Sequence, residues 1–205
     1  SIVRKDLKSF SKFRIPLNTK THPFKSLKVM WQSPNYYIYD GTVPIIYRGN
    51  LEKTDSLNIV SFDEMYFDQL HATSDNSFLF RSQSSKYKTF IIGDYKNHQM
   101  NFHYDLLGTE NTGYIENDGL LISDLENNFF VYVYYYKNEF VSFNNTLGKH
   151  NKFRLISFKK EQSMETVKLS NGTTKIKDPL QQSVKNAIIS DKLLLSLLPT
   201  VKILS

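Results

Sequence analysis

The stretch NNFFVYVYYYKNEFVSF, residues 127–143, decides the fold. In an extended chain, successive side chains point to opposite faces. Phe129, Val131, Val133 and Tyr135 then share one face, and Phe130, Tyr132, Tyr134 and Tyr136 the other. A sheet with one face in water alternates apolar with polar residues. Here both faces are apolar or aromatic, so cover is expected on both sides. Propeller blades packed face to face provide that environment; a sandwich edge does not. Stacking on nucleic-acid bases needs exposed rings beside cations, so packing is the preferred reading.

The same pattern extends outward. A strand at 120–124 and a turn at Glu126-Asn127-Asn128 precede the segment. Lys137-Asn138 turns into 139–143, and Asn144-Asn145 leads to a strand at 152–158. An earlier series has strands at 66–71, 77–81, 88–95 and 100–104, turning at 74–76 and at Lys96-Asn97. A first series has 26–31, 36–39, 45–48 and 57–62, punctuated by Pro34-Asn35, Asp40-Gly41 and Gly49-Asn50. The second strands start near Tyr36, Ser77 and Phe129. That is about 40 to 50 residues per four strands, the period of propeller blades.

The expectation is a single all-β, β-propeller-like domain over 1–205, an array of four-stranded antiparallel blades. The blade-like units fall roughly at 19–62, 63–105, 114–158 and, in part, 184–205. A further strand is expected at 13–17 and an extended linker at 175–179. Residues 184–198 read as a hairpin turning at Asp191-Lys192. A helix ending before Pro199 competes for them, because Val184, Ala187, Ile188, Leu194, Leu195 and Leu198 also fall near helical spacing.

Composition agrees. Thirteen Tyr, 15 Phe and one Trp favour strands, and alanine occurs only at Ala72 and Ala187. An AT-rich genome would produce part of the same bias. The absence of cysteine excludes disulfides, thiolate metal sites and a cysteine nucleophile. No apolar run approaches the roughly 20 residues of a membrane-spanning helix. The opening SIVRKDLKSF lacks the apolar core of an export signal.

Chemical motifs are sparse. G-x-S-x-G, H-E-x-x-H and a Walker loop do not occur. His98 and His103 are five apart, which puts them on opposite strand faces unless a turn intervenes. His22, His71 and His150 are isolated. Asp63-Glu64, and Asp40 with Asp55, are carboxylate pairs without a sign of a raised pKa. Glu116, Asp118 and Gly119 superficially suit a calcium loop, but its twelfth position would be Leu125. No catalytic, cofactor or metal residue is therefore assigned. Ionisable residues on first strands, which would line a propeller channel, are Lys28, Asp68, His71 and Asp124.

The net charge of +6 permits acidic partners. The densest basic group is Lys149, His150, Lys152, Arg154, Lys159 and Lys160. Within it, Lys149, Lys152 and Arg154 are the candidate patch for an anionic ligand such as phosphate, acidic glycan or lipid headgroup. Lys152 and Arg154 would share a strand face, with Phe153 and Leu155 opposite. Nucleic-acid binding is not expected.

Three segments carry a family resemblance: SFLFRSQSSKYKTFIIGDYKN, DGLLISDLENNFFVYVYYYKNEFVSFNNTL and VKLSNGTTKIKDPLQQSVKNAIISDKLLLSLL. From about 77 to 198 the chain resembles the six-bladed TolB-like β-propeller proteins of Bacteroidetes, many of them cell-envelope lipoproteins. The resemblance implies a non-catalytic binding or scaffold module docking on another envelope protein or outer-membrane complex. It implies the periplasm or an outer-membrane lipoprotein, with membrane association only through a lipid anchor outside this sequence. It supplies no cofactor and no catalytic motif. The alternative is a propeller enzyme acting on glycans or peptides in a central channel. Asp55-Ser56-Leu57 resembles the O-glycosylation motif of such exported proteins; Asn144-Asn145-Thr146 and Asn171-Gly172-Thr173 fit N-glycosylation sites. Six blades need roughly 270 residues. The chain is then part of a larger protein, a smaller ring or an open partial array.

Overall fold

The computed structural model describes residues 2–5, 10–13, 15–18, 20–53, 57–74, 76–108, 114–126, 128–148, 150–155, 166–168, 170, 174–176, 182–190 and 193–197. All regular structure among them is β. Three four-stranded antiparallel sheets recur, each in simple sequence order, and none closes into a barrel. The first holds β3 (Lys28–Gln32), β4 (Asn35–Asp40), β5 (Ile45–Asn50) and β6 (Leu57–Phe62). The second holds β7 (Gln69–Ser74), β8 (Ser77–Ser84), β9 (Thr89–Lys96) and β10 (Gln99–His103). The third holds β11 (Gly119–Asp124), β12 (Phe129–Tyr134), β13 (Glu139–Asn144) and β14 (His150–Arg154). Three two-stranded hairpins complete the set: β1 (Ile2–Lys5) with β2 (Phe10–Phe13), β15 (Thr166–Lys168) with β16 (Thr174–Ile176), and β17 (Asn186–Ser190) with β18 (Leu193–Leu197).

The chain forms two compact units: Ser1–Asp68 with Lys96–Met100, and Gln69–Tyr95 with Asn101–Ser205. In the second unit, successive sheets stack like blades. β11 packs beside β7 and beside β17. The ring-bearing face of β12, with Phe130, Tyr132 and Tyr134, meets Leu79, Phe90, Ile92, Leu106 and Leu107. The opposite face, with Val131 and Val133, meets Val184, Ala187, Ile189 and Leu194. The strand is thus apolar on both sides because another sheet lies on each. In the first unit, Tyr36 and Ile38 of β4 pack with Ile45 and Tyr47 beneath Ile15, Leu17 and Phe24.

Turn chemistry sets the strand ends. Asn76, Asn97 and Asn128 adopt positive φ, a region asparagine tolerates better than most residues. Gly41 follows Asp40 because a Cβ there would overlap the Phe67 carbonyl oxygen.

Several expected boundaries move. The strand expected at 13–17 is not formed over 15–17: β2 ends at Phe13, and Ile15 and Leu17 pack as side chains onto the first sheet. The strand expected at 66–71 starts at Gln69, because Met65 and Phe67 are buried before pairing begins. Lys88 is a positive-φ turn residue, and β9 starts at Thr89. Tyr135 and Tyr136 leave the strand: the Tyr135 carbonyl accepts from Ser183 and Val184 N–H groups. The strand expected at 152–158 begins at His150 and ends at Arg154, with 156–158 outside the described residues. Within the expected linker, Lys175 and Ile176 belong to β16, while 177–179 lie outside the described residues. The C-terminal segment is the hairpin and not the helix.

Candidate functional site

Two of the first-strand residues that would line a channel, Lys28 and His71, are engaged in structural bonds. The Lys28 ammonium donates to the Asp68 carbonyl at 2.9 Å. His71 Nε2 donates to the Leu121 carbonyl at 2.9 Å, so its Nδ1 accepts from the Ser123 hydroxyl at 2.8 Å. That tautomer suits a neutral imidazole. Burial holds the His71 pKa below its ordinary value, against the Leu121 bond that acts upward. Gln69 completes a seam between β7 and β11: its amide donates to Gly119 O at 2.8 Å and accepts from Leu121 N at 2.6 Å. Asp124 is buried.

A second polar group joins the same two sheets from β8. Arg81 Nη1 lies 2.7 Å from Asp118 Oδ1, 2.7 Å from Gly119 O and 3.2 Å from the Tyr132 hydroxyl. Its guanidinium carbon stands 4.0 Å from the centre of the Phe90 ring. Tyr132 donates onward to Asn117 O at 2.7 Å, and Asn117 donates to Thr89 Oγ1 at 2.7 Å. Burial raises the Tyr132 pKa far above the usual phenol range, so the hydroxyl stays a donor. Asp118 thus serves an inter-sheet clamp.

The histidine and carboxylate candidates do not converge. His98, at positive φ, bonds Glu64 at 3.0 Å; His103 Nε2 bonds Asp94 Oδ2 at 2.7 Å. His22 is packed among Phe24, Tyr47 and Phe62, with Nδ1 2.7 Å from the Tyr47 hydroxyl. Asp40 accepts four backbone N–H groups, from Lys25, Ser26, Thr42 and Val43. Burial pushes its carboxyl upward, but those donors outweigh it and leave the pKa at about 2. No group of metal ligands occurs among the described residues.

Lys152 and Arg154 lie on the outer strand β14, each of whose residues is exposed. Lys152 pairs with Glu139 at 2.7 Å, and Arg154 stands opposite Glu139 in register. A carboxylate therefore offsets part of that patch's charge. Phe153, on the other face, stacks on Phe140 with centroids 5.0 Å apart. Lys149, Lys159, Lys160, Asp55, Ser56 and Asn171 to Thr173 lie outside the described residues. Asn144 Oδ1 accepts from the Thr146 N–H and hydroxyl, closing a turn.

Sequence reasoning missed one surface. Leu27, Val29 and Trp31 alternate along the first sheet and are 46%, 61% and 51% exposed. They belong to the face of Tyr36 and Ile38, since Val29 pairs with Ile38 and Trp31 with Tyr36. Ile15, Leu17 and Phe24 cover that face over β4 and β5, while the row on β3 stays open. The alternation in LKVMWQ was a usable signal, but period alone does not say which face is covered.

These features define an all-β array of blade-like, four-stranded antiparallel sheets. Among known proteins, the chain matches no protein-family model, no curated protein and no solved structure.

Proposed function

We propose that the protein is a non-catalytic binding or scaffold module of the bacterial cell envelope, docking on another envelope or outer-membrane protein. The observation that carries this reading is the open apolar row Leu27, Val29 and Trp31 on a rigid sheet. Contiguous exposed apolar side chains on a packed scaffold mark interaction surfaces, and Trp is enriched at binding hot spots. The envelope setting rests on the TolB-like resemblance. The enzymatic alternative has one favourable observation, the His71–Ser123 hydrogen bond, but the other nitrogen of His71 is already engaged by Leu121.

A photo-reactive side chain placed at Val29 tests the reading in cells. It should cross-link to one envelope protein, and Trp31→Lys should abolish that product while leaving the β signature intact. Absence of a cross-link, or the same product from the Trp31→Lys chain, overturns the proposal.

A further inference from the structure

A row of four aromatic rings runs from the core of the second sheet to its surface. Phe80 on β8 is buried and lies across β9 at Gly93, where a Cβ would overlap its ring. Phe102 on β10 meets Phe80 edge to face, with centroids 5.9 Å apart. Tyr104, one residue past β10, stands 6.1 Å from Phe102 and 5.1 Å from Tyr87. Tyr87 sits in the turn at 85–88 between β8 and β9, where its N–H donates to the Ser84 hydroxyl at 3.3 Å. All four rings belong to the second unit.

The outer end of this row differs from packed core. Tyr87 is half-buried, but Tyr104 keeps 38% of its surface in solvent. The Lys86 ammonium lies 4.9 Å from the centre of the Tyr87 ring. Lys86 and Lys88 are both exposed, and Asp105 is the one exposed carboxylate within the described segments 84–88 and 102–108. The corner thus offers a fixed aromatic surface with an excess of positive charge. Its residues sit on a turn and just past a strand end, away from any unfinished sheet, since β7 to β10 already hold four strands.

We propose that this corner binds an anionic carbohydrate, its pyranose ring on Tyr104 and its carboxylate or sulfate at Lys86. The face of an aromatic ring is electron-rich and its edge electron-poor. The C–H bonds on one face of a pyranose carry the small positive charge that such a ring face attracts. An aliphatic side chain of a peptide would also cover the ring, but the flanking cations favour a ligand that bears negative charge. Tyr104 is held between Phe102 and Tyr87, so little conformational freedom is left to lose on binding. Lys86 keeps a flexible stem that can reach an acid group beside the stacked sugar. This inference uses none of the residues of the Leu27–Trp31 row and stands without the envelope reading.

The test titrates the full-length chain at low salt with a tetramer of galacturonic acid. The fully methyl-esterified tetramer is its uncharged counterpart. The acid should shift the ring resonances of Tyr87 and Tyr104 and saturate below about 10 mM. Tyr104→Ala should weaken binding by at least about tenfold, whereas Tyr104→Phe, which keeps the ring, should retain most of it. Lys86→Gln should weaken the acid about threefold and leave the ester unchanged. Tyr66→Ala, at an exposed tyrosine of the first unit, should change neither. Failure to saturate at about 10 mM overturns the inference, as does an ester that binds as tightly as the acid. Wild-type affinity in Tyr104→Ala or in Lys86→Gln overturns it too. The second of these alters only an exposed side chain and keeps the fold.

Discussion

At Asp40 a side chain does the work of a loop. Its carboxylate closes the β4–β5 turn through Thr42 and Val43 and fastens residues 25 and 26 to the same sheet. Asp40→Ala removes the acceptor of four part-buried bonds and should cost about 2 kcal/mol, read as a fall in the denaturant midpoint. Tyr132 makes a similar bridge in the second unit. Tyr132→Phe keeps the ring but strands the Asn117 carbonyl and one partner of Arg81, and should cost about 1–3 kcal/mol by the same measurement. Neither role can be read from sequence. Asp40-Gly41 announces a turn, but not that the carboxylate reaches back to residue 25. Arg81 and Tyr132 are far apart in the chain, and only sheet stacking brings them together.

At the scale of the element, period-two patterning was enough to place most strands. The both-sides-apolar reading of 129–134 is borne out, because one sheet covers Tyr132 and a hairpin covers Val133. Val133→Asp should therefore unfold the second unit, by more than about 4 kcal/mol, since it buries a charge between two apolar layers. Loss of dispersed amide resonances from β11 to β14 would report it, and a variant retaining them would refute the two-sided packing. Patterning failed where local alternation and actual pairing diverge. Residues 66–68 alternate like a strand but serve as an approach to β7. The run at 135–136 continues the aromatic pattern, yet β12 ends at Tyr134: the Tyr135 N–H still bonds the Asp118 carbonyl, while its own carbonyl accepts from residues 183 and 184. The short strands β1 and β15 have too few residues for a periodic signal. The exposed row on β3 was legible as alternation and illegible as a surface, because what covers a face is a tertiary fact.

At the scale of the whole molecule, the two units should answer acid differently. His71, in the second unit, has a folded pKa below its ordinary 6.5. Its stabilising contribution is complete above pH 6.5 and is lost as pH falls below that value toward the folded pKa, because the unfolded chain takes up the proton first. Asp40, in the first unit, has its pKa lowered from 3.8 to about 2. Its contribution, on the order of 2 kcal/mol, is complete above pH 3.8 and is lost as pH falls through about 2. Acid titration should thus loosen the second unit first, followed through the ring protons of His71. The emission of Trp31, the chain's single tryptophan, should change only at lower pH. Simultaneous transitions would contradict this ordering, as would an unchanged first transition in His71→Gln.

The seam between β7 and β11 is lopsided in a way that bears on how such a chain can change. Gln69 commits its whole amide to it, whereas β11 answers with the carbonyl of residue 119 and the amide of residue 121, atoms that every amino acid except proline can offer. β11 adds a side chain of its own at Ser123, whose hydroxyl donates to His71 Nδ1. Replacement of Leu121 by any residue but proline leaves the N–H that Gln69 accepts from, while a single replacement at Gln69 removes both of its bonds at once.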